Sequence, residues 1–167
     1  IALNKKNISI SLRKRITPSL NFNLKLVNLK RQKPEYKNLK YKEILKHLSK
    51  LNNSKSDIGL CSNKKIFETG TSNLLFIKDN KVYSPAVKFY NGITLKFIKT
   101  KIKKIIKKDI SIDTLKIYDE IILIGSGKGV ASVKTINQIK WKRKSLKFYR
   151  ILSKHYQSAI NKCPSYK

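Results

Sequence analysis

The chain has 167 residues, 40% of them apolar, which is enough for one domain with a core and too little for two well-developed ones. Its two cysteines, Cys61 and Cys163, stand far apart without a CxxC or a nearby His pair, which excludes a disulfide framework and a zinc site and points to a reducing compartment. No apolar stretch approaches the roughly 20 residues of a membrane span, so a cytoplasmic chain without a membrane partner is expected.

The formal charge is +30, from 39 Lys plus Arg against 9 Asp plus Glu. Such a charge suits a polyanion partner through phosphate neutralisation. The positive residues are nearly all Lys, however, and run from Lys5 to Lys167 among many Asn and Ile, the bias of an adenine- and thymine-rich genome. Nucleic acid is therefore not the expected partner. The sequence starts at Ile1 and contains no Met, so an upstream segment is expected.

Asn21 to Val27 alternates polar with apolar residues and predicts a strand, followed by the polar run Lys30-Arg31-Gln32-Lys33-Pro34 as a loop. Ile44, Leu45, Leu48 and Leu51 recur at helical spacing and predict an amphipathic helix over 41–51. The period then changes. Asp57–Cys61, Lys64–Glu68, Leu74–Lys78 and Lys81–Pro85 read as four strands separated by turns at Ser62-Asn63, Thr69-Gly70 and Asp79-Asn80, an antiparallel meander.

After Gly92, the residues Ile93, Phe97, Ile98, Ile102, Ile105 and Ile106 share one helical face and predict a single long helix with a solvated lysine face. Glu120–Ile124 reads as a buried strand that enters the turn Gly125-Ser126-Gly127-Lys128-Gly129, and Val130–Ile136 leaves as another. A closing amphipathic helix is predicted over 144–161. The pattern is α+β, without an internal repeat.

Three stretches, the third in two parts, carry candidate chemistry. Tyr36-Lys37-Asn38-Leu39-Lys40-Tyr41 precedes the first helix. Phe67-Glu68-Thr69-Gly70-Thr71-Ser72-Asn73-Leu74 spans a turn between two strands. Asn91-Gly92-Ile93-Thr94 opens a helix, and Gly125-Ser126-Gly127-Lys128-Gly129-Val130 joins two strands. By themselves these residues read as a solvated lysine, a surface carboxylate before a hairpin, and turn or cap residues. The last segment is no nucleotide P-loop, since Gly129 rather than Ser or Thr follows Lys128.

In their order, however, the stretches resemble the class IV aminotransferase family: Lys-Thr-Leu-Asn-Tyr, Glu-Gly-Thr-Thr-Ser-Asn-Leu, Gly-Ile-Thr-Arg and Gly-Thr-Ala-Ala-Gly-Val. The resemblance covers roughly Leu24 to Ile136. It implies the larger C-terminal domain of the D-amino-acid aminotransferase-like (fold-type IV) enzymes, a mainly antiparallel sheet or pseudobarrel with flanking helices. The whole chain, 1–167, would be this one cofactor-binding domain, with 1–35 as interdomain segment and first strand and the small N-terminal domain missing.

The implied cofactor is pyridoxal 5'-phosphate. Lys37 would attach it covalently, Tyr41 would bond its ring hydroxyl, and Glu68 would pair with its pyridine nitrogen, with Ser72 and Asn73 beside it. Gly92, Ile93 and Thr94 at the helix start, together with Ser126, would hold the phosphate. Three positions depart from the family pattern: Leu95 stands for Arg, Lys40 for Asn, and Ser132 where Pro is common.

Among family activities, the divergence of the motifs favours 4-amino-4-deoxychorismate lyase, which releases pyruvate and 4-aminobenzoate for folate synthesis, over branched-chain or D-amino-acid transaminase. A small-molecule substrate, an amino acid or aminodeoxychorismate, and a homodimer are implied. Two rivals stay open: a basic nucleic-acid-binding domain using the run from Lys99 to Lys108 and Trp141 among its cationic neighbours, and a truncated copy that folds without turning over. His47 and His155 read as surface residues.

Overall fold

A computed structural model describes residues 2–3, 8–9, 18–36 and 40–164. Strands β1 (Ala2–Leu3) and β2 (Ile8–Ser9) form a separate antiparallel ribbon. The remaining elements are β3 (Asn21–Asn28), α1 (Lys42–Leu48), β4 (Ser56–Ser62), β5 (Lys65–Thr69), β6 (Asn73–Lys78), β7 (Lys81–Pro85), α2 (Ile93–Lys99), β8 (Ile105–Lys108), β9 (Ile110–Ser111), β10 (Glu120–Gly125), β11 (Gly129–Ile136), β12 (Trp141–Lys142) and α3 (Lys147–Asn161). They build an α+β fold on one ten-stranded sheet in the order β8-β7-β6-β10-β11-β3-β4-β5-β9, with β12 on β11.

The sheet is mixed and mainly antiparallel. Only β3 pairs in parallel on both sides, with β11 and β4, while β8 lies parallel to β7 at one edge. The hairpins β4–β5 and β6–β7 close through Asn63-Lys64 and Asp79-Asn80, four residues of positive φ, the two-residue turn that matches strand twist.

Two expectations need correction. The four strands after α1 are not a continuous meander, because β6 pairs with β10 rather than β5 and the two hairpins lie apart along the sheet. The run from Ile93 is not one helix either. α2 ends at Thr100, whose hydroxyl donates to the Phe97 carbonyl at 2.8 Å, and Ile105–Lys108 joins β7 as a strand. Over so short a run, isoleucines at helical and strand spacing coincide, and pairing with Val82–Pro85 decides.

Alternation along β6 and β10 explains their continuous apolar runs. Leu74, Phe76, Ile121 and Leu123 enter one core with Phe22, Leu24, Tyr118 and Trp141, while Leu75, Ile77, Ile122 and Ile124 enter a second under α2 and α3 with Leu95, Ile98 and Leu152. α1 covers Ile58 and Leu60 through Ile44 and Leu48. Glu120, at the start of β10, is buried and fixes the start of α3: its carboxylate accepts from the Ser145 hydroxyl and from the backbone N–H groups of Phe148 and Tyr149, each at 2.9 Å. Among the described residues no helix is long and apolar enough to cross a membrane.

Candidate active site

At the ends of β5, β6 and β10 the sheet leaves a cleft of about 280 Å³, near the lower end of small-molecule sites at roughly 300–1,000 Å³. Its floor is Glu68, 3% exposed and in the penultimate position of β5. By simple alternation Glu68 would follow Ile66 into the core. Instead Leu60 faces Glu68 while the next residue, Cys61, faces Ile66, so Phe67 is the extra residue of a bulge that turns Glu68 to the cleft.

Arg31, on the segment after β3, reaches the same point. Its Nε donates to Glu68 Oε1 at 2.7 Å, with the two side chains 5% and 3% exposed, and its guanidinium carbon lies 4.6 Å from the centre of the Tyr41 ring. The Tyr90 N–H donates to Glu68 Oε2 at 3.3 Å. Burial pushes the Glu68 carboxyl above the ordinary carboxylate range, and the Arg31 charge and the two hydrogen bonds act against that shift.

One wall is the turn between β5 and β6. Thr69 Oγ1 accepts from the Ser72 N–H at 2.8 Å, and Asn73 bridges to the next wall, donating from Nδ2 to the Tyr90 carbonyl at 2.5 Å and accepting from the Gly92 N–H at 3.3 Å. A Cβ on Gly92 would stand 2.9 Å from Asn73 Oδ1. Gly92 is thus required for close approach, since its φ of −64° suits any residue.

At the other end Gly92 opens α2, and the buried Thr94 places its hydroxyl 3.3 Å from that of Ser126 in the turn between β10 and β11. Ile93 points outward at the mouth, 74% exposed. The site thus offers a buried carboxylate at one end and two adjacent hydroxyls with the first turn of a helix at the other.

Of the residues expected from sequence, Tyr41, Glu68, Ser72, Asn73, Gly92, Ile93 and Ser126 line this one cleft, and Thr94 joins through its contact with Ser126. Lys37 lies outside the described residues. Sequence reasoning missed Arg31, which it placed in a polar loop. The available signal was rarity, since Arg31 is one of five arginines in a lysine-dominated chain. It also missed the buried pair of Asp57 with Lys128, whose Nζ lies 2.6 Å from Asp57 Oδ2.

Of the features behind a nucleic-acid reading, Trp141 is not available at the surface. Trp141 is 2% exposed and donates from Nε1 to the Tyr118 carbonyl at 3.0 Å, so it is a core residue and not a stacking platform. A larger groove of about 640 Å³ is lined by Ile102, Phe148, Ile151 and four lysines, three of them from the run Lys99 to Lys108. Among the described residues no group of His, Cys, Asp and Glu is placed to hold a metal ion.

Residues 4–136 match the family model of amino-transferase class IV. No curated protein matches the chain in sequence. Solved structures do match in fold. A branched-chain amino acid aminotransferase from Thermobaculum terrenum in its PLP form superposes with a TM-score of 0.73 at 14% identity, over 89% of this chain and 53% of the other. A protein named as a candidate 4-amino-4-deoxychorismate lyase from Legionella pneumophila gives 0.69 at 18% identity, over 92% and 58%. An aminotransferase from Brucella abortus bound to PLP gives 0.66 at 18%, over 85% and 56%. The chain spans between half and three fifths of the length of such structures. With the family model covering most of its length, the chain belongs to the class IV aminotransferases.

Proposed function

We propose that the chain is the cofactor-binding portion of a pyridoxal-phosphate enzyme whose reaction is that of 4-amino-4-deoxychorismate lyase. The observation that carries the cofactor assignment is Glu68, a carboxylate only 3% exposed at a cleft floor and backed by an arginine, opposite a hydroxyl pair. These groups fit the cofactor's two polar ends. The structures similar in fold include two described with PLP.

Pyridoxal phosphate, when bound, supplies a ring that withdraws electrons from the substrate's α-carbon. The chain's residues would serve it as follows. Glu68 accepts a hydrogen bond from the ring nitrogen and holds a proton there; a carboxylate has about four acceptor positions, so the contacts from Arg31 and Tyr90 leave capacity. The Arg31 charge acts against the cost of burying that carboxylate. The Thr94 and Ser126 hydroxyls and the N–H groups after Gly92 bind the phosphate. Lys37 provides the covalent attachment and carries protons to and from substrate carbon. Tyr41 bonds the ring hydroxyl.

The exposed Ile93 at the mouth, with Val87 55% exposed nearby in sequence, supports a site covered by another body, an N-terminal domain or a second subunit. Cytoplasmic location and a homodimer belong to the same reading. The lyase is preferred on the departures of the motifs at Lys40, Leu95 and Ser132, while the fold is shared with lyase-named and branched-chain structures alike, and transamination is the second reading. Titrating the intact protein with pyridoxal phosphate should give a saturable visible absorbance. Adding aminodeoxychorismate should then release pyruvate without a 2-oxo acid acceptor. Transfer of the amino group to an added 2-oxo acid, without release of pyruvate from the substrate, would assign transamination, and no absorbance would remove the cofactor.

A further inference from the structure

The turn Thr69–Ser72 and the turn Gly125–Gly129 form facing parts of the cleft wall, and beneath them lies a charge pair that the cofactor reading does not use. Lys128 Nζ donates to Asp57 Oδ2 at 2.6 Å and to Thr71 Oγ1 at 2.5 Å, and lies 5.1 Å from the centre of the Phe22 ring. Asp57 is fully buried and the lysine side chain only 10% exposed. Asp57 Oδ2 also accepts from the hydroxyls of Thr69 and Thr71, both at 2.8 Å, and Oδ1 accepts from the Ile58 N–H.

One carboxylate on β4 thus organises the first turn and receives its counter-charge from the second. The turns also touch directly: a Cβ on Gly125 would stand 2.9 Å from Ser72 Oγ and 3.1 Å from the Thr71 carbonyl. Ser126 is the next residue, so the spacing of the two turns fixes where its hydroxyl stands relative to Thr94. A lysine removed from water this far needs partners in fixed positions, and fixed partners restrict the turn that carries it.

We infer that Asp57 and Lys128 are a positioning pair that clamps the two turns together and sets the Thr94–Ser126 hydroxyls for a phosphate monoester. The inference rests on the phosphate assignment above. Neither residue touches the ligand, so the test must separate positioning from stability.

Removing one partner leaves a buried charge and endangers the fold, so the variant is the neutral, size-matched Asp57→Asn/Lys128→Met in the intact protein. Two quantities are read: the ratio of affinities for pyridoxal phosphate and pyridoxal, which lacks the phosphate, and amide hydrogen exchange at Ser72 and Lys128 relative to β10. A displaced hydroxyl should cost the phosphate form about tenfold, the worth of one hydrogen bond to an anion, while pyridoxal binding stays unchanged. Exchange should quicken in the two turns and not in β10. Equal weakening of both ligands, or turns that exchange as in the wild type, would overturn the clamp. If the wild type itself shows no preference for the phosphate form, the cofactor assignment fails instead, and exchange alone then decides: quickening confined to the two turns supports the clamp, and uniform exchange rejects it.

Discussion

Arg31 Nε stands 2.7 Å from Glu68 Oε1, and Arg31 also lies over the ring of Tyr41, so one guanidinium joins the segment before α1 to the cleft floor. Arg31→Met would leave a buried carboxylate without its counter-charge, at a cost of about 3–5 kcal/mol. Burial already raises the Glu68 pKa above its unfolded value. Such a group contributes stability that is full below the unfolded pKa and is lost as pH rises through the folded one. Without Arg31 the pKa climbs further, so urea unfolding of Arg31→Met should show a larger loss of stability as pH rises above the ordinary carboxyl value of 4.5 than the wild type does. Equal pH dependence in the two proteins would separate the pair energetically.

Glu68→Gln tests the role of the charge rather than the packing. The amide is nearly isosteric and its oxygen can still accept from Arg31, so in protein shown to be folded cofactor affinity should stay within a small factor, although the nitrogen's proton is no longer held. Turnover should fall about 100-fold or more, the usual worth of a preorganised electrostatic contact. Steady-state rates beside a cofactor titration check this; unchanged turnover removes Glu68 from the site.

The element pattern was legible because β6 and β10 are buried on both faces and α3 on one, leaving apolar runs and a helical stripe that local residues suffice to produce. Glu68 was legible only through the order of motifs. Its orientation depends on the bulge at Phe67, a register shift against β4 that no local pattern reports. Arg31 and Lys128 were hidden for another reason. Their partners lie 37 and 71 positions away, and in a chain with 39 basic residues a buried cation looks like a solvated one. β8 was misread because its two isoleucines suit both periods.

The two thiols should differ sharply in reactivity. Cys61 is buried, its thiol pushed up to about 12 by burial, and its Sγ lies 3.4 Å from the Gly59 carbonyl, whereas Cys163 is exposed. At pH 8 an aromatic disulfide reagent should modify one thiol of the native protein quickly and the second only on unfolding. The raised Cys61 pKa also implies stability that is present below the ordinary thiol value of 9.0 and lost as pH rises towards 12, and Tyr118, likewise raised by burial, adds in the same direction. Rapid modification of both thiols would show that the core around Cys61 opens.

If the charge of +30 reflects composition, binding to duplex DNA should be weak, independent of sequence, and lost as salt rises through about 0.15 M. Lys99 illustrates the alternative cost of concentrating charge: partial burial, then Lys107 and Lys96, hold its amine below the usual lysine range. A titration at several salt concentrations decides, and a tight sequence-selective complex at physiological salt would restore the nucleic-acid reading.

Lys37 lies outside the described residues, yet the residues that bracket it are fixed at the cleft: Arg31 and Tyr41 both line it and contact each other at 4.6 Å. Lys37 is four positions before Tyr41 in the chain, a span of at most about 14 Å when fully extended. A covalent role makes a demand that no surface lysine meets. Exposed amines, with a reference pKa of about 10.4, are protonated at neutral pH and react slowly and at many places, whereas an attachment lysine beside a bound ring is held ready for reaction. Borohydride treatment of the intact, cofactor-loaded protein should therefore fix the label to one lysine, and peptide mapping should find it at Lys37. Lys37→Ala should abolish the visible absorbance and the activity together while leaving the unfolding free energy within about 0.5 kcal/mol of wild type, because the side chain's role is covalent and not packing. A label on another lysine would show that the first motif is misaligned. A protein that takes up cofactor without any trapped lysine would bind it non-covalently, and the family's chemistry would then be lost in this chain.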